Sequence, residues 1–237
     1  GDLSDAGMVS ELVRGADAVV HMGAIPGPRS REPVETFENN VSSTFNVMMA
    51  AAEHGVRRIV FSSSAFGMGW AHDPSAFVPL YLPLDEDHPM MPFETYGLSK
   101  QIGEDIGAML ARSTDISVVS LRFTNIPHDE VRAEFPLPAP TKADPHTLVI
   151  WGYAFADDVA EAHVLAVDAD IEGHEAFLLA QNKTRFSEPT VDLVRANFGD
   201  RVEIRDGLEG NASVISTLKA QRMLGWVPTH DWTRGDA

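Results

Sequence analysis

Short apolar runs alternate with long segments of helical period through the first half of this chain, and that alternation restricts its fold more than any other feature. Residues 18–22, Ala-Val-Val-His-Met, are bounded by Gly15 and Gly23 and read as a strand buried on both faces. Residues 33–54 space Val34, Phe37, Val41, Phe45, Met48 and Ala52 by threes and fours, which predicts a helix with that stripe toward the core, ending at Gly55. Residues 57–61 predict a second buried strand. Residues 96–111 predict a helix carrying Leu98, Ile102, Ile106 and Met109 to the core, and residues 116–122 a third strand. Strand, helix, strand, helix, strand implies a parallel sheet with right-handed crossovers.

The flanking segments are read in the same way. A short helix over residues 5–14 is capped by Ser4 and stopped by Gly15. After residue 122 the period weakens: residues 127–145 hold five prolines and read as irregular loop. A strand over 146–151, a helix from Asp157-Asp158 to Ala166, a strand over 175–180 and helices over 187–198 and 218–224 follow. The two aspartates are read as favourable charge in a first helical turn, not as metal ligands, because no His or third carboxylate has ligand spacing.

Composition removes several partners. At 237 residues the chain suits one domain, or one with a small appendage. Its 35 acidic against 18 basic residues repel phosphate backbones and anionic lipid, so neither nucleic acid nor membrane is an expected partner. Without cysteine there is no disulfide and no thiolate metal site, and no metal is expected. No apolar run has the length of a membrane span and residues 1–5 do not resemble a signal peptide, which makes the expected location cytoplasmic.

Three stretches carry chemistry. Tyr96 and Lys100 are one helical turn apart, so a phenol and an ammonium project from one face. A free tyrosine titrates near ~10, and a fixed positive charge beside it favours phenolate, as proton exchange with an alcohol requires. Ser62, Ser63 and Ser64 follow the second strand, at the carboxyl end where ligands sit in open α/β sheets, although three serines are also simply a polar strand end. Gly23-Ala24-Ile25-Pro26-Gly27-Pro28 leaves the first strand without bulk, allowing close backbone approach to a ligand or forming a plain turn. The segment between residues 65 and 95 has no period, and Trp70, Phe77, Tyr81 and Phe93 argue that it packs as a wall of the site.

With Ser64, Tyr96 and Lys100 each at the end or start of the appropriate element, the chain resembles the extended short-chain dehydrogenase/reductases, the NAD-dependent sugar epimerase and dehydratase superfamily. Gly1-Asp2-Leu3 is similar to the end of that family's third strand, His21-Met22-Gly23-Ala24 to its fourth-strand loop, and Asn39-Asn40-Val41 with Thr44 and Asn46 to its next helix. Phe61-Ser62-Ser63-Ser64-Ala65 resembles the serine strand of UDP-galactose 4-epimerases, Leu121-Arg122-Phe123-Thr124-Asn125 the nicotinamide-side strand end, and Leu224-Gly225-Trp226-Val227-Pro228 the carboxyl-terminal signature.

The resemblance implies an α/β, Rossmann-like, doubly wound parallel sheet with a small C-terminal substrate-binding part. Residues 1–122 would be dinucleotide-binding, and 123–237 mainly substrate-binding with 146–168 returning to the first part. Tyr96 would be the general acid/base, Lys100 would hold the nicotinamide ribose and lower the tyrosine pKa, and Ser64 would orient the reacting oxygen. Cofactor contacts would come from Asp2, Leu3, Met22, Gly23, Ala24, Asn40, Ser62, Tyr96, Lys100 and Thr124, and substrate contacts from Ser64, Tyr96 and Asn125. The cofactor would be NAD or NADP, with NAD preferred, and helices 33–54 and 96–111 would pair in a homodimer.

The chain departs from the family pattern in two ways. No G-x-G-x-x-G occurs, and the chain starts where the family's first three strands end, so it reads as a fragment of a longer gene product. The span from Asn125 to Asp157 is short and carries only Arg132 and Lys142 as basic groups, which favours a free sugar, uronic acid or other small hydroxy or keto compound over a nucleotide-diphosphate sugar. A non-catalytic, cofactor-sensing member of the same fold is the competing reading. A serine hydrolase is disfavoured because Ser62–Ser64 lack the glycines of a nucleophile elbow.

Overall fold

A computed structural model describes residues 1–27, 30–69, 77–137 and 151–230. The elements run α1 (Ala6–Val13), β1 (Ala18–His21), α2 (Pro33–Glu53), β2 (Arg58–Ser64), a 3₁₀ turn (Ala65–Met68), β3 (Tyr81–Leu82), α3 (Thr95–Ser113) and β4 (Ser117–Phe123). They continue as α4 (Asp129–Arg132), α5 (Ala156–Asp168), β5 (His174–Leu179), α6 (Thr190–Phe198), β6 (Glu203–Ile204) and α7 (Leu218–Leu224). The main sheet has the order β1-β2-β4-β5 and every pair in it is parallel. The register aligns Ser64 with Phe123 and Phe123 with Leu179, so three strands deliver their carboxyl ends to one edge.

Alternating side chains of β2 and β4 build two separate cores, as a sheet covered on both faces requires. Ile59, Phe61 and Val118 pack under α1, α2 and α3 with Val9, Met48, Ala51 and Leu110. Val60, Val119 and Leu121 face the other way, onto Ala162, Ala166, Phe177 and Trp226. A third cluster, with Met68, Phe77, Leu82, Trp151, Phe186 and Val194, holds the C-terminal part together. Among the described residues no helix is long and apolar enough to cross a membrane.

The structure corrects several expectations. Asp5, not Ser4, caps α1, because its carboxylate accepts from the Met8 amide. β1 is not buried on both faces: it ends at His21, lies at the sheet edge, and leaves Val20 43% and Met22 62% exposed. All three serines lie inside β2, which runs on to Ser64. The 65–95 segment contains the 3₁₀ turn and β3, which pairs with β6, and Phe77 and Tyr81 are buried while Phe93 is exposed. The irregular 127–145 stretch contains α4. The return to the sheet extends past residue 168 to β5, which pairs with β4 along its full length. Trp70, Lys142 and residues 146–150 of the strand expected over 146–151 lie outside the described residues, and Trp151, the last of that stretch, is in a turn.

The largest correction concerns which faces of α2 and α3 are buried. Of the apolar stripe expected to face the core from α2, Met48 is buried but Val34 and Phe45 are 67% and 45% exposed. The inward face is Thr36, Asn40, Ser43, Thr44, Val47, Met48, Ala50 and Ala51. On α3 the inward face is Tyr96, Ser99, Lys100, Gly103, Glu104, Gly107 and Leu110, while Leu98 and Met109 point out. Close packing is the reason: a Cβ on Gly103 would lie 2.5 Å from the Phe61 ring, and one on Gly107 2.9 Å from the Val118 side chain. Small and polar residues occupy the inner faces because helix and sheet approach closely there and a polar site is built between them.

Candidate active site

Glu94 starts α3 by accepting from the amides of Tyr96 and Gly97, both at 2.7 Å, and this cap sets Tyr96 at the mouth of the helix. The Tyr96 ring is buried, edge-on to Phe66 at 5.9 Å. Its phenol oxygen meets the Ser64 hydroxyl and the Gly27 backbone amide. Gly27 has φ +80°, a conformation that brings its N–H over the phenol and that a side chain would resist. One turn on, the buried Lys100 ammonium donates to the Ser62 carbonyl at 2.8 Å and lies 5.1 Å over Phe61 and 5.5 Å over the Tyr96 ring. Ser64, Tyr96 and Lys100 are thus brought together at the carboxyl end of β2.

Electrostatics here depart from the expectation that Lys100 lowers the phenol. Burial pushes the Tyr96 pKa up, and the donors Ser64 and Gly27 only partly oppose it. Burial likewise pulls the Lys100 ammonium down to about 8, with the Glu104 carboxylate resisting. Both groups are therefore held toward their neutral forms, with Lys100 aimed at a carbonyl instead of the phenol oxygen.

A groove of about 500 Å³ is lined by Gly1, Asp2, Leu3, Gly23, Ala24, Ile25, Asn39 and Ser43, and shares with this cluster the loop that carries Gly27. Four residues expected to contact a cofactor, Asp2, Leu3, Gly23 and Ala24, come together there. Gly23 keeps the floor low, since a Cβ on it would meet the Leu3 side chain at 2.3 Å. The Asp2 carboxylate is bound by the Ser4 amide at 2.9 Å and the Ser4 hydroxyl at 2.8 Å. Small residues and an acid suit the adenosine half of a dinucleotide.

A family model described as the NAD dependent epimerase/dehydratase family matches residues 1–180. The chain belongs to this family. It is 26% identical to a UDP-glucose 4-epimerase of Lactobacillus helveticus over 98% of its own length and 78% of that enzyme's. It is 35% identical to a uronate dehydrogenase of Pseudomonas putida over 51% of the chain and 42% of that protein. Among solved structures it resembles a short-chain dehydrogenase/reductase superfamily protein of Agrobacterium tumefaciens with bound NAD, at 22% identity and TM-score 0.72, covering 99% of the chain and 81% of that protein.

Within this epimerase/dehydratase frame, four of the expected contact residues, Met22, Asn40, Ser62 and Thr124, sit away from both clusters or behind them. Met22 is exposed and does not line the groove. Asn40 is buried, accepting from the Ile25 amide at 2.7 Å and donating to the Ile25 carbonyl at 3.1 Å, so it fixes the loop and does not reach into it. The Ser62 hydroxyl donates to His163 Nε2 at 2.7 Å, because His163 Nδ1 already donates to the Val159 carbonyl; only the Ser62 carbonyl serves the site, through Lys100. Thr124 is buried against the Leu179 carbonyl, and the exposed Asn125 leaves the end of β4, next to the end of β2.

Sequence reasoning missed residues that act through burial. His21 bonds Thr44 at 3.0 Å and stacks on Phe61, and burial together with the Lys100 charge pulls its pKa down to about 4. Glu104, one turn beyond Lys100, is held by Arg122 through contacts of 2.7–3.1 Å and by the Ser63 hydroxyl. Asp158, expected as helix-initiating charge, is buried and ties α5 to the chain end: its carboxylate accepts from Gln181 and Thr229, and its carbonyl from the Trp226 indole. Among the described residues no cluster of three or more His, Asp or Glu is arranged to hold a metal ion.

His21 makes a pH prediction with a definite sign. Its folded pKa is depressed, so between about pH 6.5 and 4 the unfolded chain takes a proton that the folded chain refuses, and stability falls on acidification. From pH 7 to 5 this one group accounts for about 2 kcal/mol, being roughly 1.5 pK units at ~1.4 kcal/mol each. Urea unfolding of His21→Gln should therefore show a loss between pH 7 and 5 smaller than the parent's by that amount; equal losses refute the assignment.

Proposed function

We propose that the protein is an NAD(P)-dependent oxidoreductase acting on an alcohol carbon of a sugar or sugar acid, with Tyr96 as general acid/base. The convergence of the Ser64 hydroxyl and the Gly27 amide on the Tyr96 phenol, with Lys100 one turn along, carries this reading. Ser64 orients the reacting oxygen, and Tyr96 takes its proton in oxidation and returns it in reduction. The Lys100 ammonium, anchored on the Ser62 carbonyl, has donors to spare for a ribose hydroxyl. The nicotinamide dinucleotide, when bound, accepts or delivers the hydride. NAD is preferred over NADP, because the groove lining carries Asp2 and, among the described residues, no Lys or Arg for a 2′-phosphate.

The relatives support two substrate classes: uronates through the dehydrogenase, and nucleotide sugars through the epimerase. The nicotinamide absorbance change should be followed with NAD and with NADP on a panel of hexoses, hexuronates and UDP-sugars. Turnover on any of these supports the reading; cofactor binding without turnover across the panel favours a non-catalytic sensor.

Homodimerisation is part of the proposal. The exposed Val34, Phe45 and Met49 of α2 and Leu98 and Met109 of α3 give these neighbouring helices an apolar outer face that a second copy would cover. Light scattering should give twice the 25.8 kDa chain mass, and Phe45→Glu should shift the protein toward monomer. A monomeric parent refutes the dimer.

A further inference from the structure

Arg185 is a cation in an unusual place. Its side chain is buried between Phe135, 5.2 Å from the guanidinium carbon, and Tyr153, at 5.7 Å. One terminal nitrogen donates to Asn125 Oδ1 at 3.1 Å and to the Gly152 carbonyl at 3.4 Å, and among the described residues the Nε–H has no partner. Among the described residues no carboxylate pairs with it, in a chain whose net charge is −17. A buried guanidinium without a counter-ion is costly to maintain on structural grounds alone.

The contact with Asn125 determines an orientation. A guanidinium has donors only, so the amide atom facing it must be the carbonyl oxygen, and the amide nitrogen of Asn125 must point the opposite way. Asn125 is exposed and follows the end of β4, the strand whose Phe123 pairs with Ser64 of β2. A molecule whose alcohol lies at Ser64 and Tyr96 therefore has the neighbouring strand end within its reach. That strand end carries the Asn125 amide, whose nitrogen is turned away from a guanidinium with no carboxylate partner among the described residues.

We propose that Arg185 is a positioning residue that turns the Asn125 amide nitrogen toward the substrate and sets its own charge behind it, so that the site selects a carboxylate-bearing sugar such as a hexuronate over the neutral hexose. The inference rests on the sugar-oxidoreductase reading above and names the substrate feature that the site reads. A carboxylate completes both the open donor and the missing counter-charge, whereas a neutral hydroxyl completes only the first.

Two variants test it by calorimetric titration with D-glucuronate and D-galacturonate against D-glucose and D-galactose, in the presence of NADH, which cannot accept a hydride from the titrant. Arg185→Gln removes the charge. Asn125→Asp keeps a partner for Arg185, and so does not strand a buried cation, but replaces the donor by an acceptor and neutralises the site. Each should weaken hexuronate binding by roughly tenfold to a hundredfold and hexose binding by less than about threefold. For any hexuronate that is turned over, the loss should appear in KM and not in kcat.

Equal losses for acid and neutral sugar, or unchanged hexuronate binding in Asn125→Asp, would overturn the proposal. So would a parent protein that does not prefer the acid. Hydride transfer to a neutral or nucleotide sugar by that same parent would leave the oxidoreductase reading standing, because the titration reads the carboxylate preference independently of turnover.

Discussion

Tyr96→Phe is expected to lower turnover by roughly a hundredfold to ten-thousandfold, the range for loss of a positioned acid/base, while nicotinamide cofactor affinity changes by less than about twofold. The fold should tolerate the change. The ring stays in its edge contact with Phe66, and the groups left behind are modest: Ser64 retains the Phe66 amide at 3.2 Å, and one amide, that of Gly27, loses an acceptor. Such a loss costs about 1–3 kcal/mol if water cannot reach the amide, and the Gly27 loop is only half-buried. Steady-state rates by nicotinamide absorbance and cofactor titration by fluorescence separate the two effects. Burial disfavours the phenolate, so the parent's rate of alcohol oxidation should climb from neutral into alkaline pH. Turnover retained in Tyr96→Phe would show that some other group moves the proton.

Breaking the Glu104–Arg122 pair should produce the largest loss of stability. Both side chains are buried, and the guanidinium grips the carboxylate through Nε and one terminal nitrogen at 2.7–3.1 Å. Arg122→Met leaves Glu104 buried with only the Ser63 hydroxyl, at a cost of about 3–5 kcal/mol. The double replacement Glu104→Met with Arg122→Met should cost less than Arg122→Met alone, because the carboxylate is not left behind without its guanidinium. Chemical unfolding of the four proteins at pH 7 gives the cycle; additive losses would mean that the pair is not coupled. The pair also bears on the site, since Glu104 holds the Lys100 pKa up against burial. Removing its charge with Glu104→Gln should lower the pH at which Lys100 gives up its proton.

Much of the candidate cluster was legible from spacing because helix and strand periodicity are local. Tyr96 and Lys100 share a helical face whatever surrounds them, and Ser64 reaches a strand end because an apolar run precedes it. The sheet-facing sides of α2 and α3 were not legible. Part of each apolar stripe, Val34 and Phe45 on α2 and Leu98 and Met109 on α3, is exposed, because Gly103 and Gly107 bring α3 close to the sheet and the inner faces hold Asn40, Thr44, Lys100 and Glu104 for hydrogen bonding. Val34 and Phe45 were misplaced for that reason.

The same division holds for the site residues. Chain order by itself determined the alternation that makes a parallel sheet, the carboxyl-end edge where the site sits, and the Ser64, Tyr96 and Lys100 trio, since each depends on neighbours a few residues away. Only the tertiary structure decided which serine hydroxyl faces the phenol and which faces His163, because that turns on sheet face and strand length. It also decided that burial outweighs the nearby donors in setting the Tyr96 pKa, and that Arg185 lies 60 residues from the Asn125 amide it orients. Desolvation and long-range hydrogen bonds are sums over the whole packed chain, and no local window of sequence contains them.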